Sequence, residues 1–183
     1  MAKTAIPTTK VTCKDGTTDY SVGINSNTNA DDKVQAFVDC FKGVANNASS
    51  TCHGLPLKLI LAQWGGESGW ATGSTQKSNQ NFSNMVYTSS TNPVGNIGSG
   101  LKGWAKFEGR YKHAIGYAYF FINNSRYASL IGYLQYCEAS HATPDADTCA
   151  RNIADAGFGG SDHDAYYSSL VSWMKTLANH ATI

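Results

Sequence analysis

Apolar residues recur at intervals of three and four along most of this chain, a spacing that suits helices and little else. Val34, Phe37, Val38 and Phe41 follow an Asp-rich start and predict a helix over about 31–44. A polar loop is expected at 46–54. Leu57, Ile60, Leu61 and Trp64 form the stripe of a second helix, with Pro56 near its first turn, where a missing N–H costs nothing. That helix runs to about Gly65–Gly69. Ile115, Ala118, Tyr119 and Ile122 mark another. Tyr127, Leu130, Ile131 and Leu134 mark the next, with Ser125 placed to cap it. A short helix ends at Gly157, and Tyr166, Leu170, Trp173, Met174 and Leu177 stripe the last. The fold class expected is mainly α (α+β). Residues 1–28 read as an irregular arm with a short strand near Val11, and residues 29–183 as one domain. Within it, about 72–108 reads as a small β-hairpin or loop lobe, being rich in Ser, Asn, Gly and Thr.

Charge narrows the function classes. The formal net charge is +1, and no basic stripe of the nucleic-acid-binding kind is visible. No stretch is long and apolar enough to span a membrane. Polarity comes from neutral side chains together with ten Tyr and four Trp, a mixture suited to sugars, which offer hydroxyls and flat C–H faces. The first residues, Met1 to Pro7, lack the apolar core of a secretory signal peptide.

Glutamate is scarce: only Glu67, Glu108 and Glu138 occur, against ten Asp. Glu67 stands at the C-terminal end of the second helix, between Gly66 and Ser68-Gly69-Trp70. Aromatic neighbours desolvate an anion there, the helix C-terminus repels it, and no Lys or Arg adjoins it in sequence. All three conditions raise a carboxyl pKa. A carboxylic acid still protonated near neutral pH can donate to a glycosidic oxygen. A solvated helix-end glutamate fits the same spacing, so the residues alone leave both readings open.

Other side chains carry less. His53, His113, His141, His163 and His180 lack zinc-type spacing, and no metal site is expected. Asp145-Ala146-Asp147 and Asp162-His163-Asp164 suit helix N-capping better than a cation site. Tyr117, Tyr119, Phe120 and Phe121 suit core and cleft wall. No Gly-x-Ser-x-Gly elbow supports serine chemistry.

The segment Leu61-Ala62-Gln63-Trp64-Gly65-Gly66-Glu67-Ser68-Gly69-Trp70 resembles the catalytic segment of glycoside hydrolase family 73, lysozyme-like N-acetylglucosaminidases of peptidoglycan. Two later stretches follow in the family's order. Ala105-Lys106-Phe107 with Asn123-Asn124-Ser125-Arg126-Tyr127 resembles its helix and Asn-Asn-Pro-Arg-Tyr-like turn. Ala150 to Phe158, followed by Tyr166 and Leu170, resembles its closing helix, Ala-Gly-Tyr turn and downstream tyrosine. The likeness spans about 55–178. It implies a helical lobe facing a small lobe across a cleft. Glu67 would act as general acid and later base, while Trp70, Asn81, Phe82 and Tyr166 position the sugar. No metal or organic cofactor is implied.

The chain departs from the family pattern at Asn79-Gln80-Asn81-Phe82-Ser83-Asn84-Met85 and has no acid between Ser68 and Phe107. Glu108 is then the nearest candidate for a second acidic group. A muramidase or lytic transglycosylase on the same fold, and a non-catalytic glycan-binding module, remain alternatives. The chain is also similar to glycoside hydrolase effectors of the type VI secretion system. That implies export without a signal peptide, action in a rival's periplasm, a periplasmic immunity protein blocking the cleft, and a monomer acting on peptidoglycan.

Five cysteines are many for a reducing compartment. Cys40 and Cys52 bracket the polar loop expected after the first helix, and Cys137 and Cys149 bracket a later one. Bridges Cys40–Cys52 and Cys137–Cys149 are therefore expected, with Cys13 free, each worth ~3 kcal/mol in the loop-entropy picture. Buried free thiols suit the same residues.

Overall fold

The computed structural model describes residues 8–12, 18–22, 30–88 and 93–183. An antiparallel hairpin of β1 (Thr8–Thr12) and β2 (Thr18–Val22) precedes the helices, with Lys10 opposite Tyr20, and Val11 lies in β1. Cys13 lies outside the described residues. Seven α-helices follow among the described residues: α1 (Ala30–Thr51), α2 (Leu57–Ser68), α3 (Ser74–Asn79), α4 (Arg110–Ile122), α5 (Ala128–Ser140), α6 (Ala146–Asp155) and α7 (His163–His180). The fold is mainly helical, as the apolar spacing predicts.

The centre is α2. Leu59 to Gly65 are all buried, so this helix is enclosed on every side rather than striped. Helices α1, α6 and α7 pack on it, and α4 packs on α1 while its Tyr117 reaches Trp64 of α2. Aromatic rings fill the space between them. Phe37 stacks on Phe41 at 4.4 Å, Phe41 meets Phe82 edge-on at 4.6 Å, and Trp64 meets Tyr117 edge-on at 5.2 Å. Tyr117, Phe121 and Tyr127 continue the row toward α5. Each such ring, fully removed from water, contributes on the order of 2 kcal/mol.

The first helix corrects the expected loop at 46–54. Its buried stripe continues through Ala45, Ala48 and Cys52, all wholly inaccessible, while Asn46, Asn47 and Ser50 lie on the exposed face. Small apolar residues at helical spacing outweigh the Asn and Ser around them. This removes the ground for the Cys40–Cys52 bridge. The two residues are about 18 Å apart along a helical rise, against the roughly 4.4–6.8 Å a disulfide spans between Cα atoms. Cys137 and Cys149 do lie on either side of a loop, on the buried faces of α5 and α6. They too are free thiols. A buried thiol packs as a small apolar group without needing a bond. Burial pushes Cys40 up to about 11, and Cys52 and Cys149 up to about 12.

Caps fall largely where the polar residues suggest. Asp145 accepts from the Thr148 amide at 2.7 Å and Asp162 from the Ala165 amide at 3.0 Å, opening α6 and α7. At the turn before α5 the cap is Asn124 rather than Ser125; its side chain accepts from the Arg126 amide. The segment between α3 and α4 has a 3-10 turn at Leu101–Gly103 and isolated antiparallel bridges, Val86 with Trp104 and Ser99 with Ala105. Asn79 ties the end of α3 to that turn, donating to the Leu101 carbonyl and accepting from the Leu101 amide.

Candidate active site

The last turn of α2 carries Glu67, and an unusual backbone follows it. Gly69 caps the helix at φ +59°, and Trp70 and Ala71 also take positive φ, at +58° and +62°. Non-glycine residues adopt this region at a cost, so surrounding contacts must hold it. They do. The Trp70 amide donates to Gly65 O at 2.6 Å. Ser68 Oγ donates to Trp64 O at 2.7 Å and accepts from the Ala71 amide at 2.9 Å.

Two glycines let rings approach this turn. A Cβ at Gly65 would fall 2.3 Å from the Trp70 ring, and one at Gly66 would fall 2.0 Å from Cδ2 of Trp173 on α7. Trp173 in turn meets Tyr166 edge-on at 6.1 Å.

Glu67 itself is half-buried and held at both carboxyl oxygens. The Tyr166 hydroxyl donates to Oε1 at 2.7 Å, and Asn84 Nδ2 donates to Oε2 at 2.7 Å. Its backbone carbonyl, an orphan of the helix end, accepts from Asn84 Nδ2 at 3.1 Å and Gln76 Nε2 at 3.2 Å. Burial pushes the Glu67 carboxyl above its usual range, and the bonds from Tyr166 and Asn84 partly offset this. The result is an acid biased toward its protonated form, with two fixed partners.

The expected site residues separate into two groups. Tyr166 meets Glu67 directly. Trp70 and Phe82 are buried among core rings, Trp70 against Phe37 and Phe82 against Phe41 and His113. Asn81 is wholly buried, with its amide donating to the Met85 and Ala105 carbonyls and its oxygen accepting from the Met85 amide. These three hold the loop that brings Asn84 to Glu67. Glu108 is exposed in the turn before α4, and neither hydrogen bond to the Glu67 carboxyl comes from it. Gln63, Gln76 and Asn84 were not anticipated as site residues. Gln63 had a signal: it is a polar residue four before Glu67 inside an apolar helix, hence on the same face.

Residues 43–179 match the Glucosaminidase family, described as mannosyl-glycoprotein endo-beta-N-acetylglucosaminidase. The chain belongs to this family. It is a glycoside hydrolase, and Glu67 lies within the residues that match the glucosaminidase family. No curated protein sequence matches the chain. Among solved structures, it is similar to a C-terminally truncated glycoside hydrolase domain of FlgJ from Salmonella typhimurium, with TM-score 0.56 and 21% identity, covering 80% of this chain and 98% of that one. It is similar to a peptidoglycan hydrolase from Sphingomonas sp. A1, with TM-score 0.55 and 20% identity, covering 81% and 96%. It is also similar to a type VI secretion system effector–immunity complex from Pseudomonas protegens, with TM-score 0.54 and 18% identity, covering 80% and 94%. These likenesses are of fold, and they agree with the lysozyme-like architecture expected for the glucosaminidase.

Proposed function

We propose that this glucosaminidase cuts the glycan strands of peptidoglycan at the GlcNAc-β-1,4-MurNAc bond, with Glu67 as proton donor. The observation that carries this reading is the half-buried Glu67 carboxyl, pushed toward its protonated form while Tyr166 and Asn84 fix both its oxygens. Protonation of a leaving oxygen by a positioned acid is worth about 10²–10⁴-fold. Glu67 gives its proton to the departing sugar and, as a carboxylate, then takes one from the incoming water. The substrate's own N-acetyl oxygen serves as nucleophile, a scheme known among glycosidases. The exposed setting of Glu108 supports this one-carboxylate scheme. The similarity to a hydrolase of peptidoglycan supports the choice of polymer.

The decisive experiment is digestion of purified sacculi, read by turbidity and by mass spectrometry of the products. A glucosaminidase leaves GlcNAc at the new reducing end. A muramidase leaves MurNAc, and a lytic transglycosylase leaves its anhydro form. Glu67→Gln should abolish clearing and Glu108→Gln should cost far less. Clearing by a folded Glu67→Gln protein would overturn the assignment, and equal loss in both variants would favour paired carboxylates. A binding module would co-sediment with sacculi without clearing them.

The fold likeness to an effector–immunity complex favours one biological setting. In this reading the protein is a monomeric antibacterial effector, delivered by a specialised secretion system to a rival's periplasm. An immunity protein blocks the cleft in the producer. Expression with a periplasmic signal peptide should lyse a Gram-negative host, whereas cytosolic expression should be tolerated. Equal toxicity from the cytosol would refute that setting.

A further inference from the structure

Three side chains from three helices form a hydrogen-bonded row that ends on Glu67. The Tyr117 hydroxyl of α4 donates to Gln63 Oε1 at 2.5 Å. Gln63 Nε2 of α2 donates to the Tyr166 hydroxyl oxygen at 2.8 Å, and the Tyr166 hydroxyl of α7 donates to Glu67 Oε1 at 2.7 Å. Gln63 and Tyr117 are wholly buried, so neither touches a sugar.

The direction of this row follows from the way the Gln63 amide is turned. A carboxamide accepts only at oxygen and donates only at nitrogen, and a phenol has one hydrogen to give. With Gln63 Oε1 turned to Tyr117, Nε2 faces Tyr166. The Tyr166 oxygen accepts there, and its single hydrogen goes to Glu67. Asn84 is fixed in the same way: its Oδ1 accepts from Gln76 Nε2 at 2.9 Å, leaving Nδ2 to donate to Glu67 Oε2. Both carboxyl oxygens thus receive a hydrogen. A proton taken up by Glu67 finds no acceptor among these partners and stays on a lone pair turned away from them.

We propose that Gln63 and Tyr117 are positioning residues of the reaction: they fix Tyr166 as a donor to Glu67, so that the acid's own proton is left for the substrate. The proposal rests on Glu67 being the general acid. With the row reversed, Tyr166 would accept the Glu67 proton, stabilise the uncharged acid and weaken it as a donor. The titratable groups facing Glu67 are Tyr166 from α7 and, behind it, Tyr117 from α4; both stay neutral, burial having raised them well above the usual tyrosine range. Gln76 and Asn84, from the segment after α2, are neutral amides.

The chain has only three glutamates, so ¹³C labelling of glutamate carboxyls gives three titrating signals. Glu67→Gln identifies which one is Glu67. Tyr117→Phe removes one hydroxyl, and Gln63→Met removes both ends of the amide at similar volume. In each folded variant the Glu67 midpoint should rise by about one pH unit, a tenfold change in its proton affinity. The alkaline limb of kcat should move up with it, while kcat on sacculi falls about tenfold and KM holds. A purely packing role would scale kcat equally at every pH and leave the midpoint in place. An unmoved Glu67 midpoint in folded Tyr117→Phe overturns the proposal; should Gln63→Met fail to fold, that variant alone decides. Failure of the parent reading shows separately, as full clearing by Glu67→Gln whatever the midpoints.

Discussion

One amide nitrogen, Nδ2 of Asn84, holds Glu67 at both ends, donating to side-chain Oε2 at 2.7 Å and to the backbone carbonyl at 3.1 Å. Asn84 sits at φ +52°, a backbone region that asparagine tolerates better than most residues. Asn84→Asp keeps this preference but replaces the donor with a second carboxylate. The Glu67 pKa should rise further, and stability at neutral pH should fall by about 1.5–3 kcal/mol, the range for a bond to a charged group. An alkaline limb of activity shifted upward, with lowered denaturant resistance at pH 7 that recovers in acid, is the expected pair of results. An unchanged limb would show that Asn84 does not set the acid.

Gly66→Ala tests the ring against the helix end. A helical glycine replaced by alanine ordinarily gains up to about 1 kcal/mol. Here the new Cβ would fall 2.0 Å from Trp173 Cδ2, and overpacking of this kind costs about 1–3 kcal/mol. The substitution should therefore destabilise the wild type and also lower activity, because a displaced Trp173 pushes on Tyr166. In a Trp173→Ala background it should turn neutral or stabilising. Urea melts of the four proteins of that cycle check the sign change.

His113 makes the fold acid-sensitive. It is wholly buried beside Trp64, Phe82 and Phe107, and burial lowers its pKa from 6.5 to about 3. A depressed histidine leaves stability intact above the unfolded value, and stability is lost as pH falls from 6.5 toward 3, by roughly 1.4 kcal/mol per unit. Glu67 acts oppositely: its raised pKa means that a penalty for ionising appears as pH climbs above 4.5. Urea denaturation of wild type and His113→Gln at a series of pH values should show a slope below pH 6.5 that the variant lacks. Matching slopes would exclude His113 as its source.

The buried thiols predict slow chemistry. Only a thiolate reacts quickly, and burial holds Cys40, Cys52 and Cys149 at about 11 to 12. Alkylation mapped by mass spectrometry should mark these three only after denaturation. Rapid labelling of the folded protein would contradict their placement.

The central helix and the place of Glu67 in its last turn were legible in sequence because both signals are local: an apolar run, a proline at its start, a glycine at its end, and a scarce residue type between small ones. What was not legible depended on which way a side chain turns. Trp70 and Phe82 follow Glu67 closely and are aromatic, and nothing in a linear pattern separates a ring facing sugar from one facing Phe37 or Phe41. Asn84 was hidden because its contact arises from a loop folding back 17 residues later. The bridge expected between Cys40 and Cys52 failed for another reason. Ala45 and Ala48 are weak apolar signals beside four Asn and Ser residues, yet they suffice to carry the helix through.

Burial, one hydroxyl and one side-chain amide set the protonation of Glu67. Such forces act over a bond length, whereas fields between exposed ions reach about 8–10 Å in ordinary salt and fade beyond it. The acid is therefore tuned by means that dissolved ions barely reach. The catalysis proposed for Glu67 should keep the same pH profile in dilute buffer and in strong brine, even where salt alters how the chain first meets its polymer.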